Sequence, residues 1–168
     1  MFREMRRFRQ ALTQEECYAL LDRGTHGVLA VAGDGGYPYA VPMSYARMGE
    51  KLIFHCAQAG HKLDAVRACN KVSFCVVDRD QVVPEEYTTY FRSVIAFGTV
   101  RELEGEEKRR AVEDLARRYH PQDREAHREE YIQKDRDRVC ILELTVEHLT
   151  GKEARELAME KGQKGDKA

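Results

Sequence analysis

The stretch Phe54-His55-Cys56-Ala57-Gln58-Ala59-Gly60-His61-Lys62-Leu63 gathers the side chains best suited to chemistry. His55 and Cys56 close an apolar run, Leu52-Ile53-Phe54, that reads as a strand. Gly60 stands where a turn is needed, and residues 62–68 read as a short helix. A strand end, a glycine turn and a basic helix start make an arrangement in which backbone amides hold an anion such as a phosphate. Lys62 would add a fixed charge. A lysine near the positive end of a helix is disfavoured, and a bound anion offsets that. His55 and His61 are either further contacts or, more plainly, a strand-end histidine and an exposed turn residue. Arg92-Ser93, at the start of a later strand, could add a guanidinium and a hydroxyl, or Arg92 could pair with Glu85 or Glu86.

Other chemistries leave no trace. HExxH, GxSxG and Walker lysine motifs are absent, and no spacing selects a nucleophilic triad. His26, His120, His127 and His148 are scattered without metal-ligand spacing, so neither a metal site nor a catalytic acid or base is expected. The five cysteines form no CxxC pair and are odd in number. Free thiols in a reducing compartment fit better than disulfides or structural zinc. Cys56, beside the expected anion, would contribute its backbone amide rather than its thiol. With 28 basic and 29 acidic residues the net charge is -1, which argues against a nucleic-acid partner held by bulk electrostatics. No apolar run reaches the roughly 18 residues of a membrane span, and no secretory signal is evident, so a cytoplasmic protein without a membrane partner is expected.

The surrounding elements must place these groups. Thr13-Gln14-Glu15-Glu16 is a capping box that starts a helix over 14–22. Strands are expected at His26–Ala32, Tyr37–Ala46, Lys51–Cys56, Lys71–Val77, Thr88–Leu103 and Val139–Val146. Gly33-Asp34-Gly35-Gly36 is a hairpin turn, and residues 47–50 make a second one. Side chains alternate along 39–46: Tyr39, Val41, Met43 and Tyr45 on one face, Ala40, Pro42, Ser44 and Ala46 on the other. Pro42 cannot donate to a ladder and marks an edge or an opening of the sheet. Asp78–Glu86 reads as a polar loop, and Gly98 as a bend or bulge. The period changes to helical over 106–118. Residues 122–137 could be loop or helix. The pattern predicts a mainly β fold: a six-stranded antiparallel barrel, closed or nearly so, with peripheral helices. One domain spans 1–150, and 151–168 reads as a charged, partly disordered tail.

Several segments together resemble a known family. They are Asp34–Tyr39, Val41-Pro42-Met43-Ser44, Gly49–His55, Gly60-His61-Lys62-Leu63-Asp64-Ala65, Tyr90–Gly98 and Leu144–Lys152, in an order spread over roughly residues 10–152. The chain resembles the pyridoxamine 5'-phosphate oxidase-like FMN-binding split barrels, and within them the group related to nitroimidazole-resistance proteins. That resemblance implies a homodimer with flavin at the subunit interface. It implies that Val41, Pro42, Met43 and Ser44 run along the isoalloxazine ring, and that His55, Cys56, His61 and Lys62 surround the phosphate. Arg92 and Ser93 would complete the contacts. The oxidases that act on pyridoxamine phosphate carry an arginine-lysine pair where this chain has His61-Lys62. They also carry a C-terminal tryptophan, and this chain contains none. The function implied is therefore an FMN-dependent oxidoreductase. It would pass electrons from a reduced nicotinamide or similar small-molecule donor to a small acceptor such as a quinone, nitro compound or oxygen. The alternative is a non-enzymatic flavin or heme binding or sensor protein.

Overall fold

A hairpin sets the architecture. Strand β1 (His26–Ala32) turns through Gly35 and Gly36, both at positive φ (62° and 80°), into β2 (Pro38–Ser44), with His26 opposite Ser44 and Ala32 opposite Pro38. The computed structural model describes residues 2–135 and 138–165. After β2 the chain passes through Tyr45 alone into β3 (Ala46–Met48), turns at Gly49-Glu50, and returns as β4 (Lys51–Ala57). Helix α2 (His61–Ala68) follows α1 (Gln14–Arg23) in chain order. Then come β5 (Lys71–Val83), β6 (Thr88–Leu103), α3 (Gly105–Tyr119), α4 (Glu125–Asp135), β7 (Val139–Glu153) and α5 (Arg155–Gly165).

All seven strands form one antiparallel sheet in the order β2-β1-β5-β6-β7-β4-β3. Its two edge strands, β2 and β3, are thus consecutive in sequence. The sheet must curl into a half-barrel until its edges nearly meet, in keeping with the mainly β, nearly closed antiparallel barrel expected. The count is seven rather than six because the expected strand 37–46 breaks at Tyr45. Tyr45 is fully buried, and its hydroxyl donates to the Leu21 carbonyl at 2.7 Å. That anchor turns the chain from the partner of β1 into the partner of β4.

Alternation fills the barrel. Leu29, Val31, Met43, Leu52, Phe54, Phe74, Val76, Val94, Leu142 and Leu144 share one core with Leu20 and Leu21 of α1 and Leu63 and Val66 of α2. The capping box holds α1 as expected: Glu16 N donates to Thr13 Oγ1 at 3.2 Å and Thr13 N to Glu16 Oε2 at 2.9 Å. A second cluster, Ala46, Ile53, Leu103, Ala111, Leu115 and Ile141, seats α3 on the outside of the sheet. Gly98 does mark a register shift, with Phe97 opposite His148 but Gly98 opposite Val146. A Cβ there would lie 1.9 Å from the Thr145 carbonyl oxygen, so only glycine fits.

Two strands outrun their expected ends. The segment read as a polar loop, 78–86, is mostly a continuation of β5, shifted at Asp78 and paired through Val83 with Thr88. Strand β7 continues past Val146 to Glu153, because the shift at Glu147 resets the alternation that the sequence pattern depends on. The stretch from 151, expected as a solvent-facing tail, holds the end of β7 and then α5, with Ala154 and Leu157 buried. Residues 166–168 lie outside the described residues. Among the described residues no helix is long and apolar enough to cross a membrane.

Candidate functional site: the open edge of β2 and the start of α2

Strand β2 pairs with β1 alone. The phase of that ladder follows from Gly33 N donating to Tyr37 O at 2.9 Å and Tyr45 N to Thr25 O at 3.3 Å. Odd-numbered residues of β2 therefore turn their backbone groups to β1, and Ala40, Pro42 and Ser44 turn theirs to the open side. Pro42, which has no N–H, sits where none is needed for pairing. Side chains alternate too: Met43 is buried, Tyr39 and Val41 are half-buried, and Ala40, Pro42 and Ser44 are exposed. The edge thus offers a row of free peptide groups beside small side chains.

The start of α2 lies next to it. Gly60 takes φ 124°, and its carbonyl accepts from Leu63 N at 2.9 Å and Asp64 N at 3.2 Å. A Cβ at Gly60 would meet nothing, so the glycine is there for its backbone conformation. His61 stacks on Tyr39, with ring centroids 4.2 Å apart and planes 17° apart, and its Nε2 lies 3.5 Å from Asp34 Oδ2. That contact fastens α2 to β2 and to the β1–β2 turn. Lys62, half-buried, has no ion-pair partner among the described residues.

Cys56, one residue before the end of β4, lies directly opposite Cys140 on β7. Burial pushes the Cys56 thiol above its ordinary range, and the Lys62 ammonium opposes that shift, so the lysine's charge reaches the strand end. The Cys140 thiol donates to Glu102 Oε2 at 3.5 Å and is pushed up to about 12, mainly by burial. Both thiols are protonated at neutral pH, which suits packing rather than nucleophilic attack.

Val41, Pro42, Met43 and Ser44 continue β2 away from Tyr39, whose ring stacks on His61 next to Lys62, and the Lys62 charge reaches Cys56. Three expected members stand elsewhere. Strand alternation sends His55 to the opposite face from Cys56, where it is exposed. There it lines an apolar groove of about 300 Å³ with Leu115, Tyr119, Ile132 and Ile141. Arg92 and Ser93 lie at the far end of β6. Arg92 sits opposite Glu153, whereas the residue of β6 level with Ile141 and His55 is Leu103. Those ends are separated by roughly 35 Å of strand. Arg92 pairs with neither Glu85 nor Glu86; its Nη2 and Nε lie 2.9 and 3.1 Å from Glu153 Oε2. Glu153 is 2% exposed and also accepts from Lys161 at 2.7 Å. The residues that sequence reasoning passed over are Tyr39 and Asp34. The signal available was that Tyr39 shares the inward face of Val41 and Met43, one step nearer the turn that holds Asp34.

A family model described as pyridoxamine 5'-phosphate oxidase matches residues 13–153. The chain belongs to the pyridoxamine 5'-phosphate oxidase family. The match takes in every element from α1 to the end of β7. Solved structures agree on the fold. A protein of Bacteroides thetaiotaomicron named for 5-nitroimidazole antibiotic resistance is 21% identical with a TM-score of 0.72, over 84% of this chain and 85% of its own. An FAD-binding protein of Mesorhizobium loti is 24% identical with a TM-score of 0.64, over 86% and 96%. An FAD and heme binding protein of Mycobacterium smegmatis is 21% identical with a TM-score of 0.73, over 91% and 80%. No curated protein sequence matches the chain. Two of these three structures are named for the FAD they bind. The residues at the β2 edge and the start of α2 are of the kinds such a cofactor needs: free peptide groups for a ring edge, and an unpaired cation beside a helix N-terminus for a phosphate.

Proposed function

We propose that this member of the pyridoxamine 5'-phosphate oxidase family is an FMN-dependent oxidoreductase working as a homodimer. The observation that carries the reading is the unpaired edge of β2 opening beside an unpaired Lys62 at the start of α2. Bound there, flavin would supply two-electron chemistry between a reduced nicotinamide or similar donor and a small acceptor such as a quinone, nitro compound or oxygen. The chain's own part is placement. Ala40 and Ser44 present peptide groups toward the ring, and the side chains of Val41 and Met43 close the barrel wall behind it. Lys62 and the first amides of α2 hold the phosphate, and His61, stacked on Tyr39, keeps α2 in position.

The dimer reading rests on the outer face of β1, β5 and β6. Val28, Ala30, Cys75, Val77, Ile95 and Phe97 follow one another across it without a charged side chain, and Val28 and Val77 are 39% and 59% exposed. Such a face is suited to meeting a second copy. Across that dimer Arg92 and Ser93 could approach a flavin only from the partner subunit, and Arg92 only by giving up Glu153.

Titration of the purified protein with FMN, FAD and riboflavin, followed by flavin fluorescence, tests the reading. FMN should bind more tightly than riboflavin, which lacks the phosphate, and more tightly than FAD, for whose adenylate the sequence carries no GxGxxG dinucleotide motif. Equal binding of FMN and riboflavin removes the phosphate site. Tighter binding of FAD keeps the flavin and replaces FMN. Turnover with reduced nicotinamide and a quinone or nitro acceptor then separates enzyme from carrier. A second reading, a flavin or heme binding protein without turnover, is favoured by His55. It faces an apolar groove and makes no hydrogen bond among the described residues, leaving its imidazole available to an iron. A heme absorbance change that disappears in His55→Ala would support it.

A further inference from the structure

Several arginines on the body of the protein end on carboxylates: Arg23 on Asp78, Arg47 on Asp22, Arg67 on Glu102, Arg101 on Glu143 and Glu107. Those of the N-terminal arm do not. Arg6, Arg7 and Arg9 line a groove of about 610 Å³ with Arg155 at the start of α5, and none of the four makes an ion pair among the described residues. The remaining lining residues are Phe8, Gln10, Ala158 and Met159, so no carboxylate among the described residues lines the groove. Phe8 is 71% exposed, with the Arg9 guanidinium 5.8 Å from its ring centroid on one side, and Met159 is 53% exposed.

The groove is built rather than draped. Ala11 bridges to Lys152, Leu12 N donates to Gly151 O at 3.0 Å, and the turn Phe8–Gln10 is closed by Ala11 N donating to Phe8 O at 3.1 Å. Gln10 is buried beneath it. Opposite, Arg155 occupies the first turn of α5, where a cation is disfavoured by the helix dipole unless an anion sits with it. The four guanidinium groups are exposed and have no carboxylate partner among the described residues, so their mutual repulsion is screened but uncompensated, and an anion of several charges would relieve it. The volume falls within the ~300–1,000 Å³ usual for small-molecule sites. Phe8 and Met159 give a flat ring something to lie against.

We propose that this groove binds a nucleotide carrying two or more phosphate charges, its phosphates among Arg6, Arg7, Arg9 and Arg155 and its base on Phe8 and Met159. The site is distinct from the flavin edge within one chain: Gly151, which anchors the arm, is roughly 35 Å along β7 from Cys140, the partner of Cys56. It does not depend on the flavin reading.

Calorimetric titration of the full-length protein with ADP tests it, with adenosine and inorganic phosphate as controls and each run repeated with FMN present. ADP should bind one per chain, more tightly than either control, and more weakly as salt rises. The double variant Arg7→Gln/Arg155→Gln should weaken ADP by at least about tenfold at an unchanged melting temperature, since these side chains hold no partner. Phe8→Ala should weaken ADP but not pyrophosphate, while Lys62→Ala should leave ADP binding unchanged. The proposal is overturned if ADP does not bind or binds the double variant as well as the unaltered chain. It is also overturned if the loss appears in Lys62→Ala instead, which would put ADP at the flavin edge. Retention on phosphatidylserine vesicles without ADP binding would likewise sink it and assign the arm to an anionic lipid surface.

Discussion

His61-Lys62 and Arg92-Ser93 look alike in sequence, each a cation beside a polar neighbour at the start of a regular element. In the fold they part. Lys62 stands at the mouth of α2 without a counter-charge, while His61 fixes the helix to Tyr39. Arg92 is spent on Glu153, a carboxylate 61 residues away in sequence that is nearly inaccessible and also holds Lys161. The first pair is free to meet an anion; the second joins β6 to β7 and α5. A cation's availability is thus decided by where the nearest acid lands, and no local motif contains that information.

The contrast can be broken most forcefully at Arg92. Arg92→Ala leaves a buried carboxylate with Lys161 as its remaining cation, and should lower stability by about 3 kcal/mol in urea unfolding. The ratio of FMN to riboflavin affinity should not change. Loss of that ratio at full stability would instead move Arg92 into the flavin site. Lys62→Ala should do the reverse. Stability should stay within about 0.5 kcal/mol, and FMN affinity should fall roughly ten- to a hundredfold with riboflavin unaffected. His61→Ala comes next: loss of the stack on Tyr39 should remove about 0.5–1.5 kcal/mol and weaken FMN severalfold, and His61→Phe should restore stability.

The smallest effect concerns acid. Glu102 is held below its ordinary 4.5, first by its hydrogen bonds from Arg67, with burial opposing. A carboxylate depressed by folding stabilises the native state above its unfolded pKa and stops doing so as pH falls through the folded one. The Arg67–Glu102 pair, half exposed on the arginine side, should contribute little because solvent screens it. Arg67→Gln should therefore shift the urea midpoint slightly at pH 7 and not at all well below pH 4.5. An equal shift at both pH values would mean that packing, not charge, is lost.

Most of the barrel was legible because its signals are local. The Thr13–Glu16 box, the glycine turn at 33–36, the alternation of 39–46 and the change of period at 106 each belong to a few consecutive residues. What was missed is non-local. Tyr45 breaks a strand because Leu21 accepts its hydroxyl. The shift at Glu147 hides the second half of β7, and acidic and basic side chains between 78 and 81 mask a strand whose partner begins at Thr88. At the site, the grouping of residues 56–62 was readable from spacing, as was Pro42 at an edge. The outward turn of His55 was implicit in the same alternation that put Phe54 and Cys56 inside. The capture of Arg92 by Glu153 was not, because it depends on how β7 registers against β6.

The covalent continuity of the two sheet edges also governs the order in which the molecule is assembled. Hairpins β1–β2 and β3–β4 join neighbours in sequence and can form in microseconds. Strand β4 then lacks a second neighbour until β7 arrives, since Lys51 waits for Thr145. Pairing across so long a loop is slow, because chain entropy must be surrendered before any contact rewards it. During synthesis the strand that lines the proposed flavin edge is thus among the first parts made, yet the wall opposite it is completed only when the last strand leaves the ribosome.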